Sequence, residues 1–469
     1  MILGKVFDKF VGRTPVSVMI RGSLEYALSE QFVNQIFETT ATRQYTRDLL
    51  FSDVVNLMGD VVCQVFPSVN AAYAKQRERF SVGRRAVYLK INHIEPDITR
   101  ELVAQSASRL GAVVRVLQRS SERKGLLPGF SVRILDGNHL AASEHRIKEL
   151  RDIAAGPLPG QTLAVLDPDS RLIVDVFPCE DGHAQERSLL WDVVESIQPH
   201  QVWIGDRNFC TSMFLFEIAL KDAYFLIREH ATNAQWETVG ERRKVGRTET
   251  GMVYQQRVEL IDQSGTRLRA RRITIKLDQP TEDGDTEIHI LTNLPNRVKA
   301  TRIAEAYRNR WKLEGAFGEL ATALHCEIKS LGYPPAALFA FGIGVVAYNI
   351  LSVLRTALAA AHGEKWVEQI SAYYLADEIR GMMRGMTVAI SPRDWQRAFG
   401  SLSARQMAKL LIDLAKRVRL ECFRKTPRGP KKPRTKRTKF KGKGHVSTAR
   451  ILQESRGRPI QQLSYRCKQ

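Results

Sequence analysis

Asp136 and Asp206 are the first residues whose placement suggests chemistry. Asp136 closes the apolar, β-branched run SVRILDG, and Asp206 closes QVWIGD. Short apolar runs that stop at turn residues read as buried strands. In an open α/β sheet, the carboxyl ends of neighbouring strands face a common crevice where ligands gather. Two carboxylates in that crevice repel each other unless cations lie between them. Magnesium suits such a place, because it takes hard oxygen ligands and keeps waters and substrate phosphates in its shell. A pair of such ions can activate a nucleophile and stabilise the leaving oxygen in phosphoryl transfer. A lone strand-end aspartate is most often a turn or cap residue; two in this topology leave the two readings level.

A third carboxylate is available in residues 306–324, AYRNRWKLEGAFGELATAL, which are rich in helix formers. At about 100° per residue, Tyr307, Arg310 and Glu314 share a stripe roughly 60° wide. Ala306, Leu313, Phe317, Leu320 and Leu324 form a neighbouring apolar face that can dock on a sheet. Glu314 therefore lies at the edge of the buried face, with a cation and a phenol on its line. Glu319 falls on another face and is expected in solvent. The stripe would hold Glu314 to a metal while Arg310 and Tyr307 grip flanking phosphates.

Asp136 in ILDGNHL, Asp206 in VWIGDRNF and the Y-x2-R-x3-E element from Tyr307 to Glu314 resemble the DDE transposases of the IS4 family. The resemblance covers most of residues 125–450. It includes a β-rich insertion before the glutamate and a basic, proline-containing tail that ends GHVSTAR. It implies a ribonuclease H-like core and metal-dependent cutting and joining of DNA at inverted repeats. Asp136, Asp206 and Glu314 would hold two Mg²⁺ ions, with Mn²⁺ as a substitute. The partners implied are double-stranded inverted-repeat ends and target DNA, engaged by a homodimer on paired ends. The family signature continues with a lysine seven residues after the glutamate; here that position is Ala321. Arg207, beside Asp206, is expected at DNA or as a brace for the sheet. Trp236, in the insertion, reads as a core residue, with stacking on a displaced base as the alternative.

Charge points the same way. The chain has 469 residues, 43% hydrophobic and 26% charged, with a formal net charge of +21. A strongly basic surface attracts polyanions, with nucleic acid ahead of anionic membrane. Residues 424–443, RKTPRGPKKPRTKRTKFKGK, hold eleven Lys or Arg and no acid. Such a segment cannot bury apolar surface, so residues 424–469 are expected to be a disordered basic tail, with Lys431, Lys432, Arg434, Lys436 and Arg437 at DNA. Without the eleven cations the body is still basic.

The elements that must position these residues are legible as a series. Residues 1–125 read as a helical, DNA-binding region. Residues 126–230 read as the first part of the core: a strand, a hairpin at Asp-Pro-Asp-Ser, a helix, a strand ending at Asp206, a helix and a further strand. Residues 231–299 alternate apolar and polar residues and read as an antiparallel β insertion. Residues 300–370 complete the core with the Glu314 helix, and 371–423 are C-terminal helices. The fold class is thus α/β, a mixed-sheet core with an insertion.

Six scattered cysteines with no zinc spacing favour reduced thiols. The start, MILGKVFDKFVGRT, lacks the pattern of a signal peptide. These features lead to the expectation of a cytoplasmic, nucleoid-associated bacterial protein. The run from Ala336 to Leu354 is uncharged over about a membrane span, but Gly342, Gly344, Tyr348, Asn349 and Ser352 favour a buried core helix and no membrane partner. The rival functions are a nuclease or resolvase with the same core, a non-catalytic DNA-binding derivative of a transposase, and a peripheral membrane protein that uses the tail.

Overall fold

The computed structural model describes residues 4–119, 125–281, 284–426 and 444–456, apart from the side chains at 321–323 and 387. Its centre is a ten-stranded mixed sheet in the order β4-β3-β1-β5-β6-β11-β10-β9-β7, with β8 paired to β9. The strands are β1 Ser131–His139, β2 Gly156–Leu158, β3 Gln161–Asp167, β4 Leu172–Cys179, β5 Gln201–Gly205, β6 Tyr224–Arg228, β7 Gln235–Thr238, β8 Arg243–Thr248, β9 Gly251–Ile261, β10 Arg267–Leu277, β11 Glu287–Thr292 and β12 His445–Ser447. β1 runs parallel to β5, and β5 to β6, while β3 is antiparallel to both β1 and β4.

Alternation of side chains divides the sheet into two faces. Val132, Ile134, Val202 and Ile204 enter one apolar cluster; Leu135, Trp203, Phe225 and Ile227 enter the other. The second face is covered by α-helices at Leu190–Ser196 and Ser212–Leu220. The first is covered by Pro96–Gln118, here α1, and Pro334–His362, here α2. The two helices cross closely because Gly342 has no side chain: a Cβ there would lie 2.5 Å from the Thr99 Cγ2.

Among the described residues, α2 is the one helix long and apolar enough to cross a membrane, and its apolar window is wholly buried within the protein. Asn349 explains its single buried amide. The Asn349 side chain accepts from the Ile173 N–H and donates to the Ile173 carbonyl, both at 2.8 Å. β4 is the edge of the sheet, and Asn349 satisfies backbone groups that no further strand reaches.

The helical region of residues 1–125 shares the core of the sheet. Phe51 lies 5.8 Å from Phe339 of α2, centroid to centroid, and Phe7 packs edge-on to Trp395 at 4.9 Å. The insertion is antiparallel, and it extends the main sheet through the pairing of β11 with β6. The expected disordered tail needs a correction. Residues 445–447 form β12 parallel to β2, and the α-helix Thr448–Ser455 follows, here α3. Arg450 of α3 pairs with Asp181 at 2.8 Å. The pattern GHVSTAR carries a β-branched residue and a good helix start, and a long basic run beside it hid both. Lys431, Lys432, Arg434, Lys436 and Arg437 lie outside the described residues. The five described cysteines are unbridged.

Candidate active site

The two aspartates meet through register. Ile134 of β1 pairs with Ile204 of β5 in parallel alignment. Asp136 and Asp206 each stand two residues further on, past the paired stretch and on the same face; Asp206 follows the end of β5, but β1, expected to close at Asp136, runs on to His139 against β3. Asp206 opens a 3₁₀ turn at Arg207–Phe209, and its carboxylate accepts from the Asn208 N–H at 2.8 Å. One oxygen of Asp136 accepts from the Gly137 N–H at 3.0 Å.

Glu314 arrives from the helical segment, which is not one straight helix. It comprises Ala300–Arg308 and Trp311–Ala323, joined at Asn309 and Arg310. At the junction, N–H groups bond three residues back: Arg310 to Tyr307, Lys312 to Asn309 and Leu313 to Arg310. The cause is local. The Asn309 side-chain amide donates to the Glu305 carbonyl at 3.0 Å, taking an acceptor of the regular ladder.

Arg310 is the hub. One guanidinium nitrogen lies 3.0 Å from Asp136 Oδ2 and the other 2.7 Å from Glu314 Oε1. Tyr307, buried behind it, hydrogen-bonds to the same guanidinium. The expected stripe of Tyr307, Arg310 and Glu314 is therefore assembled, with Arg310 turned onto the carboxylates. Burial pushes the Tyr307 phenol up to about 12. Asp136 is pushed up to about 7, chiefly by burial; Arg310 opposes the rise, and the negative charges of Asp206 and Glu314 add to it. These couplings place all three acids in one electrostatic neighbourhood. The Glu314 side chain remains 48% exposed, and Arg310 is only 15% exposed.

Among the described residues, no group of three or more His, Cys, Asp or Glu converges as a ready metal cage. The donor types are those of a hard-cation site, but a guanidinium spans Asp136 and Glu314. Glu319 departs from expectation: its carboxylate takes two bonds from Arg355 of α2, at 2.8 and 3.2 Å. It fastens helices instead of facing solvent alone. Arg207 is exposed beside Asp206, and its charge reaches Asp285. Trp236 is half-buried; its indole N–H donates to Glu229 at 2.7 Å, and Arg272 lies 5.1 Å over its ring. That environment accounts for Trp236 without a base. Ala321 lies in the Trp311–Ala323 helix, and its side chain lies outside the described set.

Two residues behind the aspartates had no signal in sequence spacing. Glu186 reaches over Gly137 from the opposite face of the sheet: a Cβ on Gly137 would lie 1.9 Å from Glu186 Oε1. The same carboxylate accepts from Asn208 Nδ2 at 2.5 Å, and Arg187 donates to Asn208 Oδ1 at 3.1 Å. The turn after Asp206 is thereby tied to the strand that carries Asp136.

Residues 128–350 match the family model of the transposase DDE domain. The matched span is just under half of the chain, and it runs from the start of β1 into α2, enclosing all three acids and the insertion. The match supports a DDE transposase, and with it an enzyme of the nuclease and transposase kind. No curated protein matches the chain.

Proposed function

We propose that the protein is a DNA transposase that cuts at the inverted-repeat ends of an insertion sequence and transfers the freed strand to target DNA. The reading rests above all on one observation: Asp136, Asp206 and Glu314 share one electrostatic neighbourhood inside the region that matches the transposase DDE domain. The strand order supports a ribonuclease H-like core, since β1, β3 and β4 form an antiparallel run beside the parallel pair β5 and β6. The spaced Tyr307, Arg310 and Glu314 fit the IS4 family.

The residues that would hold Mg²⁺ or Mn²⁺, two ions per site, are Asp136, Asp206 and Glu314. Such ions, when bound, supply a Lewis acid and an activated water or hydroxyl for phosphoryl transfer. The chain itself does the remainder. Asp136 and Asp206 sit on a rigid strand pair, and Asn208 and Glu186 hold the turn between them in place. Arg310, buried against Tyr307, carries the positive charge that a scissile or flanking phosphate meets. DNA ends, target DNA and a second copy of the chain are the proposed partners, in a bacterial cytoplasm at the nucleoid.

The test is a Mg²⁺-dependent cleavage assay on an end-containing duplex. Asp136→Asn, Asp206→Asn and Glu314→Gln should each abolish cleavage and leave end binding largely intact, while Glu319→Gln should cut. Normal cutting by Glu314→Gln would sink the assignment. A non-catalytic DNA-binding derivative is the second reading, favoured by the Arg310 bridge between Asp136 and Glu314. Absence of any metal-dependent cleavage by the wild type, with end binding retained, would favour it.

A further inference from the structure

A concave surface lies at the same end of the sheet as the carboxylates. It is a cleft of about 920 Å³, lined by residues from five parts of the chain: the 43–49 loop, the helix Arg84–Ile91 with the turn after it, Glu180 after β4, the start of α2, and α3. Register fixes its position. His139 of β1 pairs with Gln161 of β3, and Gln161 pairs with Cys179 of β4. Glu180, on the cleft wall, is the next residue. Two strand spacings, about 10 Å, separate its strand from that of Asp136.

The wall is built around cations. Arg43, Arg47, Lys90 and Arg456 all line the cleft. The loop that bears Arg43 is clamped by Glu95, whose carboxylate accepts from the N–H groups of Thr42, Arg43 and Gln44 at 2.8 to 3.3 Å. Those bonds fix the loop and hold Glu95 in its charged form. Lys90 donates to the Tyr45 carbonyl at 3.1 Å and lies 3.8 Å from the Phe37 ring centre. Tyr45 is 63% exposed, with the Arg47 guanidinium 4.7 Å from its ring centre. Glu180 is raised by burial and faces the positive charges of Arg43 and Arg456. Four cations thus stand against three acids in the lining, Asp48, Glu95 and Glu180, and Arg43 and Arg47 are exposed. Cations beside an exposed aromatic ring are the equipment of a nucleic-acid groove.

We propose that this cleft receives the DNA backbone that flanks the cut, with Arg43, Arg47 and Arg456 on successive phosphates and Tyr45 against a sugar or an exposed base. The assignment rests on the transposase reading for the identity of the polyanion. The C-terminal anchor strengthens it: β12 and the Arg450–Asp181 pair fix α3, and hence Arg456, on the cleft wall. The eleven-cation run of residues 424–443 precedes that anchor directly in sequence.

The test uses the full chain carrying Asp136→Asn, without metal, so that binding is read apart from cutting. The probes are a mixed-sequence 30-base-pair duplex, a single strand of the same sequence, and vesicles containing phosphatidylserine. Arg43→Ala/Arg47→Ala and Arg456→Ala are compared with Arg269→Ala, whose side chain is exposed on the insertion. For the double variant, the dissociation constant for duplex should rise about tenfold, and the log–log salt slope should flatten by about two units. The melting temperature should not move, because Arg43 and Arg47 are exposed. Arg456→Ala should flatten the slope by about one unit. Duplex affinity and slope equal to those of Arg269→Ala would overturn the proposal, as would a loss confined to vesicles or to the single strand. Retained cleft binding in a chain that never cleaves DNA would refute the catalytic reading alone.

Discussion

The Arg310 guanidinium lies 3.0 Å from Asp136 and 2.7 Å from Glu314, so one internal cation bridges two of the three acids. The bridge spans a strand and a helix 174 residues apart in sequence. It neutralises part of a repulsion that would otherwise push the Glu314 helix away from the sheet.

At the proposed metal site, Arg310 and a divalent ion would compete for the same oxygens. Arg310→Ala in the DNA-free protein should therefore tighten Mn²⁺ binding about tenfold, as expected for removal of one nearby positive charge. Titration calorimetry or Mn²⁺ electron paramagnetic resonance reads the change directly. Adding Asp136→Asn should cancel the gain. An unchanged Mn²⁺ affinity would mean that the guanidinium and the metal use different atoms.

Gly137→Ala should act at a distance from its own methyl. The new Cβ displaces the flexible end of Glu186, not backbone, so the fold should survive with little change in melting temperature. Glu186 then loses Asn208, and the turn after Asp206 loosens. Cleavage should fall roughly ten- to a hundredfold, the scale of a small misplacement of reacting groups. Asn208→Ala should show a loss of similar size. Full activity in both variants would show that the brace has no part in positioning Asp206.

Asn349→Ala should destabilise the core. The side chain is fully buried and makes both of its bonds to Ile173. Its loss strands a donor and an acceptor at the edge of the sheet and leaves a small void, a cost of about 3 kcal/mol. A shift of the urea midpoint with an unchanged slope would carry that signature.

Docking of residues 445–455 should fail in acid. Burial raises the Asp181 carboxyl, but the His183 N–H at 2.9 Å and Arg450 at 2.8 Å outweigh it and hold Asp181 below its ordinary range. A depressed carboxylate contributes stability above its unfolded-state value and loses it as pH falls through the folded one. Amide protection at residues 445–455, the exchange rate relative to the intrinsic rate at the same pH, should accordingly be high at neutral pH and fall below about pH 4. Arg450→Ala should lower that protection at pH 7 as well.

Much of the core was legible because local pattern and tertiary role agree there. VRIL, VWIG and YFLIR are buried on both faces, so their composition reads as central strand wherever they sit. Asp206 followed, since a strand end is a local property; Asp136 marks the end of the apolar run but not of its strand, because pairing with β3 carries β1 on to His139. Glu314 followed from helical periodicity, which survived the kink at Asn309. Glu186 could not be found this way: it acts on Gly137 and Asn208 across the sheet, and no spacing rule encodes a contact through a backbone. Glu319 was misjudged for the same reason, because Arg355 lies on another helix. The ordered stretch at 445–455 escaped notice beside a run of cations whose composition alone reads as solvated chain.

The pairing of β12 with β2 also sets an order of events during synthesis. His445 meets Gly156, 289 positions earlier in the chain. At elongation rates of about 5–20 residues per second, on the order of tens of seconds separate their emergence from the ribosome. During that interval, the segment leading away from Asp136 lacks its parallel neighbour, and Asp181 lacks Arg450. Glu314 emerges part-way through, before either contact exists. A nascent chain therefore gathers its acids first and is fastened around them last, so a truncated translation product carries Asp136, Asp206 and Glu314 yet leaves that segment untied.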